Sequence, residues 1–235
     1  MRIALIGYGK MGKAIEKVAQ ERGHVISHQI DGLDKLTALN PEVTDLAIEF
    51  TQPEAAYKNI ETCLKNNVPV ISGTTGWLDS YPQLVEQAEK HQGTFLHASN
   101  FSIGVNLFFE LNEWLAQKMK NLPFHPSMEE IHHTEKKDSP SGTAIKLAEG
   151  IIQNSPITDW INEESTDHKA IGIVSKRIPN VPGTHTVSYE SKLESIQVHH
   201  VAHDRSVFAE GVVLVAEWIQ DKTGVFTMSD FLNQQ

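Results

Sequence analysis

The sequence predicts an α/β fold with a second, differently built region inside it, and three observations carry that prediction. Short apolar runs alternate with helix-periodic segments through the first hundred residues, which implies a parallel sheet. A glycine turn joins the first run to the first helical segment. From about Ser127 to Val207 strand-like segments dominate, and a helical pattern returns over Phe208 to Gln220.

The first unit reads in order. Ile3 to Ile6 is an apolar strand that runs into Gly7-Tyr8-Gly9-Lys10-Met11-Gly12, and Lys13 to Ala19 has helical periodicity. In a strand–turn–helix the glycines have separate tasks: Gly7 makes the tight turn, Gly9 lets backbone approach a pyrophosphate, and Gly12 packs the helix closely. His24 to Ile30 is a second strand ending at Asp31, at the distance where a ribose-binding acid is expected. No basic residue adjoins Asp31, which tilts the expectation toward NADH over NADPH, although Lys10 has the reach to meet a phosphate. Further strands over Asp45 to Phe50, Val68 to Ser72 and Thr94 to Ala98 alternate with helices over Ala55 to Asn66 and Tyr81 to His91. Ligands of such sheets collect at the carboxyl ends of strands, so Thr51, Gly73, Thr74 and Thr75, which follow the strand ending at Phe50 and the next one, fall where a nicotinamide nucleotide would lie, and the turn Ser99, Asn100 and Phe101 after Ala98 repeats the pattern. This is a Rossmann-like parallel-sheet nucleotide domain.

A helix over Val105 to Lys120 leads into the inserted α+β region, with strands at Met128 to His133, Ala170 to Ser175, Thr184 to Glu190 and Ser195 to Val201, expected to form an antiparallel sheet. The division expected is 1–101 plus 206–235 for the nucleotide domain and 102–205 for a substrate-binding and oligomerisation domain. Glu130 to Ala144 holds the densest chemistry. Strand alternation sends His132 and His133 to opposite faces, so the two imidazoles have separate jobs. Lys136 follows in a loop. Asp138, Ser139, Pro140 and Ser141 are turn and helix-start residues, and the N–H groups about Gly142 and Thr143 form a site for a carboxylate or phosphate. Histidine suits general acid work near neutrality, and lysine supplies charge or a proton.

Composition excludes several classes. A formal charge of −10 without clustered Lys and Arg argues against nucleic acid. The single cysteine, Cys63, forms no intrachain disulfide and reads as packing. No signal peptide precedes Arg2 and no apolar run approaches a membrane span, so the expectation is a cytoplasmic protein without a membrane partner. His199, His200 and His203 lie close in sequence, but alternation splits the adjacent pair and no Cys or carboxylate spacing completes a set, so no metal centre is expected.

These residues resemble the dihydrodipicolinate (4-hydroxy-tetrahydrodipicolinate) reductase family of diaminopimelate and lysine biosynthesis. Its signature, His-His-x-x-Lys-x-Asp-Ala-Pro-Ser-Gly-Thr-Ala, is similar to His132 to Ala144, with Ser139 in place of Ala. The likeness extends to Gly7–Gly12, Glu49–Glu54, Gly73–Gly76, Ala98–Asn106 and Gly224–Met228. The resemblance implies His132 as acid/base residue, Lys136 as proton donor, His133, Gly142 and Thr143 as ligands of a small cyclic dicarboxylate, NADH or NADPH as cofactor, and a homotetramer built through the substrate domains. The glycine turn here is one residue shorter than the family's, Lys10 replaces its Arg, and the segment after Asp31 is abbreviated. A dehydrogenase of another small acid shares the first domain without accounting for His132 to Thr143; a non-catalytic NAD(H)-binding regulator is the other alternative.

Overall fold

The computed structural model describes residues 1–32, 36 and 38–234. It divides into two compact units, Met1–Ile103 with Ser206–Gln235, and Gly104–Arg205.

In the first unit, strands β1 (Arg2–Ile6), β2 (Val25–Ile30), β3 (Leu46–Glu49), β4 (Val70–Ser72), β5 (Thr94–His97) and β11 (Gly224–Phe226) form one sheet in the order β11-β5-β4-β3-β1-β2. Every neighbouring pair is parallel. Alternation within each strand feeds two cores. Ile3, Leu5, Leu46, Ile48, Ile71 and Leu96 face the helices α1 (Lys10–Glu21) and α6 (Ser206–Ile219), while Ala4, Ile6, Ala47, Val70 and Phe95 face α2 (Pro53–Lys65) and α3 (Tyr81–Lys90). Strands buried on both faces carry no polar alternation, which is why they read as continuous apolar runs. The chain leaves β1 for β2 on one side and returns to β3 on the other. The sheet therefore has its topological switch point between β1 and β3, where ligands of such sheets bind.

The second unit is built on strands β6 (His125–His132), β7 (Asp159–Ile161), β8 (Ala170–Arg177), β9 (Gly183–Glu190) and β10 (Ser195–Ala202), in the order β10-β9-β6-β8-β7. The sheet is mixed, not antiparallel as the sequence pattern suggests. β10–β9 and β9–β6 are antiparallel, but β6–β8 and β8–β7 run parallel. The reason is the helix α5 (Gly142–Asn154), a crossover that carries the chain back to the starting end of the sheet before β8. α5 and α4 (Ile103–Met119) cover one face, burying Phe108, Leu147 and Ile151 against Met128, Ile173 and Val187. The opposite face, with Ser127, Glu129, Thr186, Ser188, Gln197 and His199, lines an open depression of about 560 Å³. Sequence periodicity missed three short elements: β7, β11 and the last helix α7 (Met228–Leu232), each too brief to show a period.

Candidate functional site

At the switch point the turn after β1 folds against the end of β3. Gly7 has φ +91°, and a Cβ there would lie 2.0 Å from the Phe50 carbonyl oxygen, so only glycine fits. A Cβ at Gly12 would meet the Gly7 oxygen at 2.3 Å. Gly9, by contrast, has nothing within 4 Å of the equivalent position, which leaves its backbone open to a ligand. A cleft of about 440 Å³ lies between Gly7, Tyr8, Gly9, Asp31 and Gly32 on one side and Phe50, Thr51 and Asn59 on the other. A second, of about 280 Å³, shares Phe50 and Thr51 and continues along Met11, Gly73, Thr74 and Thr75. The shape and residue types fit a dinucleotide: an open glycine turn at a helix start for phosphate, an acid at one end and a shelf of hydroxyls at the other.

Asp31 is exposed, and its Oδ1 accepts the Tyr8 N–H at 2.9 Å, so the acid is already oriented by the glycine turn. Lys10 is exposed at the start of α1. The hydroxyl shelf has an organiser that sequence reading passed over. Glu49 is fully buried and accepts from Ser72 Oγ at 2.6 Å, Thr74 Oγ1 at 2.9 Å, the Thr51 N–H at 3.1 Å and the Thr51 hydroxyl. Thr51 N–H also donates to Thr74 Oγ1 at 2.8 Å. One carboxylate thus sets both threonines. After β5, the Ala98 N–H donates to Ser72 O at 3.1 Å, Asn100 Oδ1 accepts the Ser102 N–H at 2.8 Å, and the buried Phe101 ring lies tilted against Phe50, with centroids 5.9 Å apart. Ser99, between them, is exposed.

The second site is built on β6, β8, β9 and the start of α5. Register puts Glu130 opposite His185 of β9 and His132 opposite Arg177 of β8. Glu130 is fully buried. Its Oε1 accepts from the Ser141 N–H at 3.1 Å and from both terminal nitrogens of Arg177 at 3.3 Å, and its Oε2 lies 3.2 Å from His132 Nδ1 and 3.8 Å from His185 Nε2. Burial pushes the Glu130 carboxyl up, but hydrogen bonds from His132 and Ser141 outweigh it and hold it well below the ordinary carboxylate range. His185, nearly enclosed, is pushed down to about 3 by burial and then by the neighbouring His132.

Arg177 also donates to Asp138 O at 2.7 Å, and the Asp138 carboxylate holds Lys136 Nζ at 2.8 and 2.9 Å. Lys136 N–H donates to His133 O at 3.2 Å. His132 ends β6 and is buried, whereas His133 lies just beyond the strand and is half-buried. Ser141 caps α5, its Oγ accepting the Ala144 N–H at 3.2 Å, and the helical ladder starts with Ile145 N–H to Ser141 O at 3.0 Å. The N–H groups of Gly142 and Thr143 lie outside that ladder. Nothing stands within 4 Å of a Cβ built on Gly142, so open space and free donors coincide there. One network therefore ties His132, Lys136 and the helix start together. The sequence signals singled out those three; Glu130, Asp138, Arg177 and His185 were the missing members. Glu130 was detectable, two residues before His132 on the same strand face, but Arg177 and His185 reach it only through register. Glu130, His132 and His185 also have the donor types of a cation site, with ligand atoms within 4.8 Å of one another, yet the Arg177 guanidinium already supplies the countercharge to Glu130.

A switch-point cleft of a shape that fits a dinucleotide on one unit, and a cluster of histidines, a lysine and carboxylates beside an open helix start on the other, are the parts expected of a nicotinamide-nucleotide oxidoreductase. The chain belongs to the dihydrodipicolinate reductase family: the family's N-terminal domain matches residues 1–101 and its C-terminal domain residues 104–232. It is 50% identical to the 4-hydroxy-tetrahydrodipicolinate reductase of Christiangramia forsetii, over 99% of this chain and 98% of that one. Identity to the enzyme of the same name from Archaeoglobus fulgidus is 37%, covering 97% of this chain and 83% of the relative. The fold is similar to a dipicolinate-bound dihydrodipicolinate reductase from Paenisporosarcina sp. TG-14, with a TM-score of 0.79, 97% of each chain covered and 23% identity.

Proposed function

We propose that the chain reduces 4-hydroxy-tetrahydrodipicolinate to tetrahydrodipicolinate in the diaminopimelate and lysine route. The observation that carries this is the network on the second unit, where a buried histidine, a lysine and free helix-start donors are joined through Glu130, in a chain half identical to a reductase of that name. When bound, the reduced nicotinamide supplies a hydride; a proton must be added and the 4-hydroxyl leave as water for the reaction to balance. Gly142 and Thr143 N–H groups hold one carboxylate of the ring, with His133 beside them, and Lys136 stabilises developing negative charge. His132 or Lys136 delivers the proton. Gly7 to Gly12, Asp31, the Phe50–Thr51 and Gly73–Thr75 shelf and Ala98–Phe101 hold the nucleotide.

NADH is the preferred cofactor in this reading. Asp31, in the open cleft and without a basic neighbour at Gly32, repels an added ribose phosphate while offering an acceptor to a ribose hydroxyl. The chain works as a homotetramer, joined through the uncovered sheet face of the second unit, where Val201, on the same face as Gln197 and His199, adds exposed apolar area beside the polar depression. A cytoplasmic location accords with the pathway; no helix among the described residues is long and apolar enough to cross a membrane. The test is oxidation of NADH and of NADPH, measured separately with substrate freshly generated from pyruvate and aspartate semialdehyde by its synthase. Fast oxidation, faster with NADH, is expected; none with either nucleotide, in protein that binds it, refutes the reading.

A further inference from the structure

We infer that Glu130 is the positioning residue of His132, its Oε2 holding the Nδ1 proton so that Nε2 is the atom that exchanges a proton during turnover. The inference rests on His132 being the acid/base residue.

Glu130 Oε2 and His132 Nδ1 are both buried and stand 3.2 Å apart, and among the described residues neither makes a fully directed hydrogen bond, so the two are left facing each other. A deprotonated Nδ1 would set two acceptors against each other in a dry site, leaving both unpaired. The proton therefore belongs on Nδ1, and the lone pair of a neutral His132 on Nε2. That tip faces Gly183, where a Cβ would come within 3.1 Å of Nε2, so the glycine keeps the working nitrogen clear.

The neighbours reinforce the arrangement. His185 packs edge-on against the His132 ring at 5.0 Å, and its Nε2 lies 3.2 Å from Ser141 Oγ. It stays neutral at working pH, since burial pushes it down to about 3, and so does not compete for the charge of Glu130. Arg177 balances that charge from the other oxygen. Through Ser141 N–H the same carboxylate fixes the N-cap of α5. Glu130 thus sets both the direction of His132 and the helix start proposed to receive the substrate carboxylate.

The test begins with the full-length wild-type protein. Imidazole 15N NMR on histidine-labelled enzyme, with the His132 resonances assigned by their loss in His132→Gln, reads the tautomer directly. The Nδ1–H form is expected, and an Nε2–H form overturns the inference. In Glu130→Gln, which keeps the shape, the one remaining oxygen is drawn to the Ser141 and Arg177 donors and the amide NH2 then faces His132 Nδ1, so kcat is expected to fall about 10²-fold. The NADH dissociation constant should stay unchanged in that variant. Turnover of Glu130→Gln within threefold of wild type overturns the inference when His132→Gln is slow. If His132→Gln itself turns over normally, the acid/base reading fails, and the inference falls with it. Should Glu130→Gln not fold, as shown by lost nucleotide binding and no cooperative melt, the wild-type tautomer alone decides.

Discussion

His185 makes the second unit acid-sensitive between pH 7 and pH 5, and the size of the effect follows from its burial. The ring is about 4% exposed, flanked by Glu130, His132, Ser141 and, further out, Lys136 and His200. Its folded value near 3 is depressed from the ordinary 6.5. As pH falls below 6.5 the unfolded chain takes up a proton that the folded chain refuses, so stability drops with falling pH. The loss stops only near 3. The slope is about 1.4 kcal/mol per pH unit for one such group, and between pH 7 and pH 5 the integrated loss is about 2 kcal/mol. Glu130 does not obscure this window. Its folded value is lowered, so its contribution is present above the ordinary carboxylate value of 4.5 and is lost only below it. Other depressed histidines, His97, His125 and His200, add to the wild-type slope, which is why the assay is a difference. Urea denaturation of wild type and His185→Gln at pH 7 and pH 5 should show wild type losing about 2 kcal/mol more than the variant. Equal losses would mean that His185 takes up its proton as readily in the folded chain as in the unfolded one, and the statement that it does not compete for the charge of Glu130 would be wrong.

Three further outcomes follow from the two sites. Gly7→Ala forces a side chain to within 2.0 Å of Phe50 O at φ +91°, and nucleotide affinity by calorimetry should fall at least tenfold, the counterpart of a strain of about 1–2 kcal/mol. Glu49→Ala leaves the Ser72 and Thr74 hydroxyls without their acceptor, while Thr51 N–H keeps Thr74 Oγ1, and should cost about 3 kcal/mol in denaturant unfolding. Lys136→Ala should lower kcat by more than tenfold and leave NADH affinity unchanged in a binding titration, because Lys136 belongs to the cluster on the second unit.

Much of the architecture was written in periodicity. Four of the five strands of the parallel sheet that precede the insertion are buried, largely apolar runs, the edge strand β2 being partly exposed and polar, and their helices carry amphipathic stripes, so local pattern sufficed. The glycine turn was legible because Gly7 and Gly12 answer to contacts with the backbone close by. The mixed sheet was not legible, since strand direction depends on the α5 crossover and leaves no mark on β8 itself. Site residues divided the same way. His132, Lys136 and Gly142 sit within a dozen residues of one another and announce themselves as a motif. Arg177 and His185 join them from 45 and 53 residues beyond His132, through β6–β8 and β6–β9 register, which no single-sequence spacing encodes. Glu49 stands out in the sequence only within the stretch that resembles the family, because a strand-end acid looks the same in sequence whether it is solvated or, as here, fully buried under three hydroxyls.

The most direct test of the central claim follows the transferred atom. With the reduced nucleotide deuterated at the transferring C4 position and substrate generated in situ, the tetrahydrodipicolinate formed should carry one deuterium on ring C4, detected by mass spectrometry and NMR. Nucleotide oxidation that leaves the label out of the product, or product that forms without it, would contradict the account.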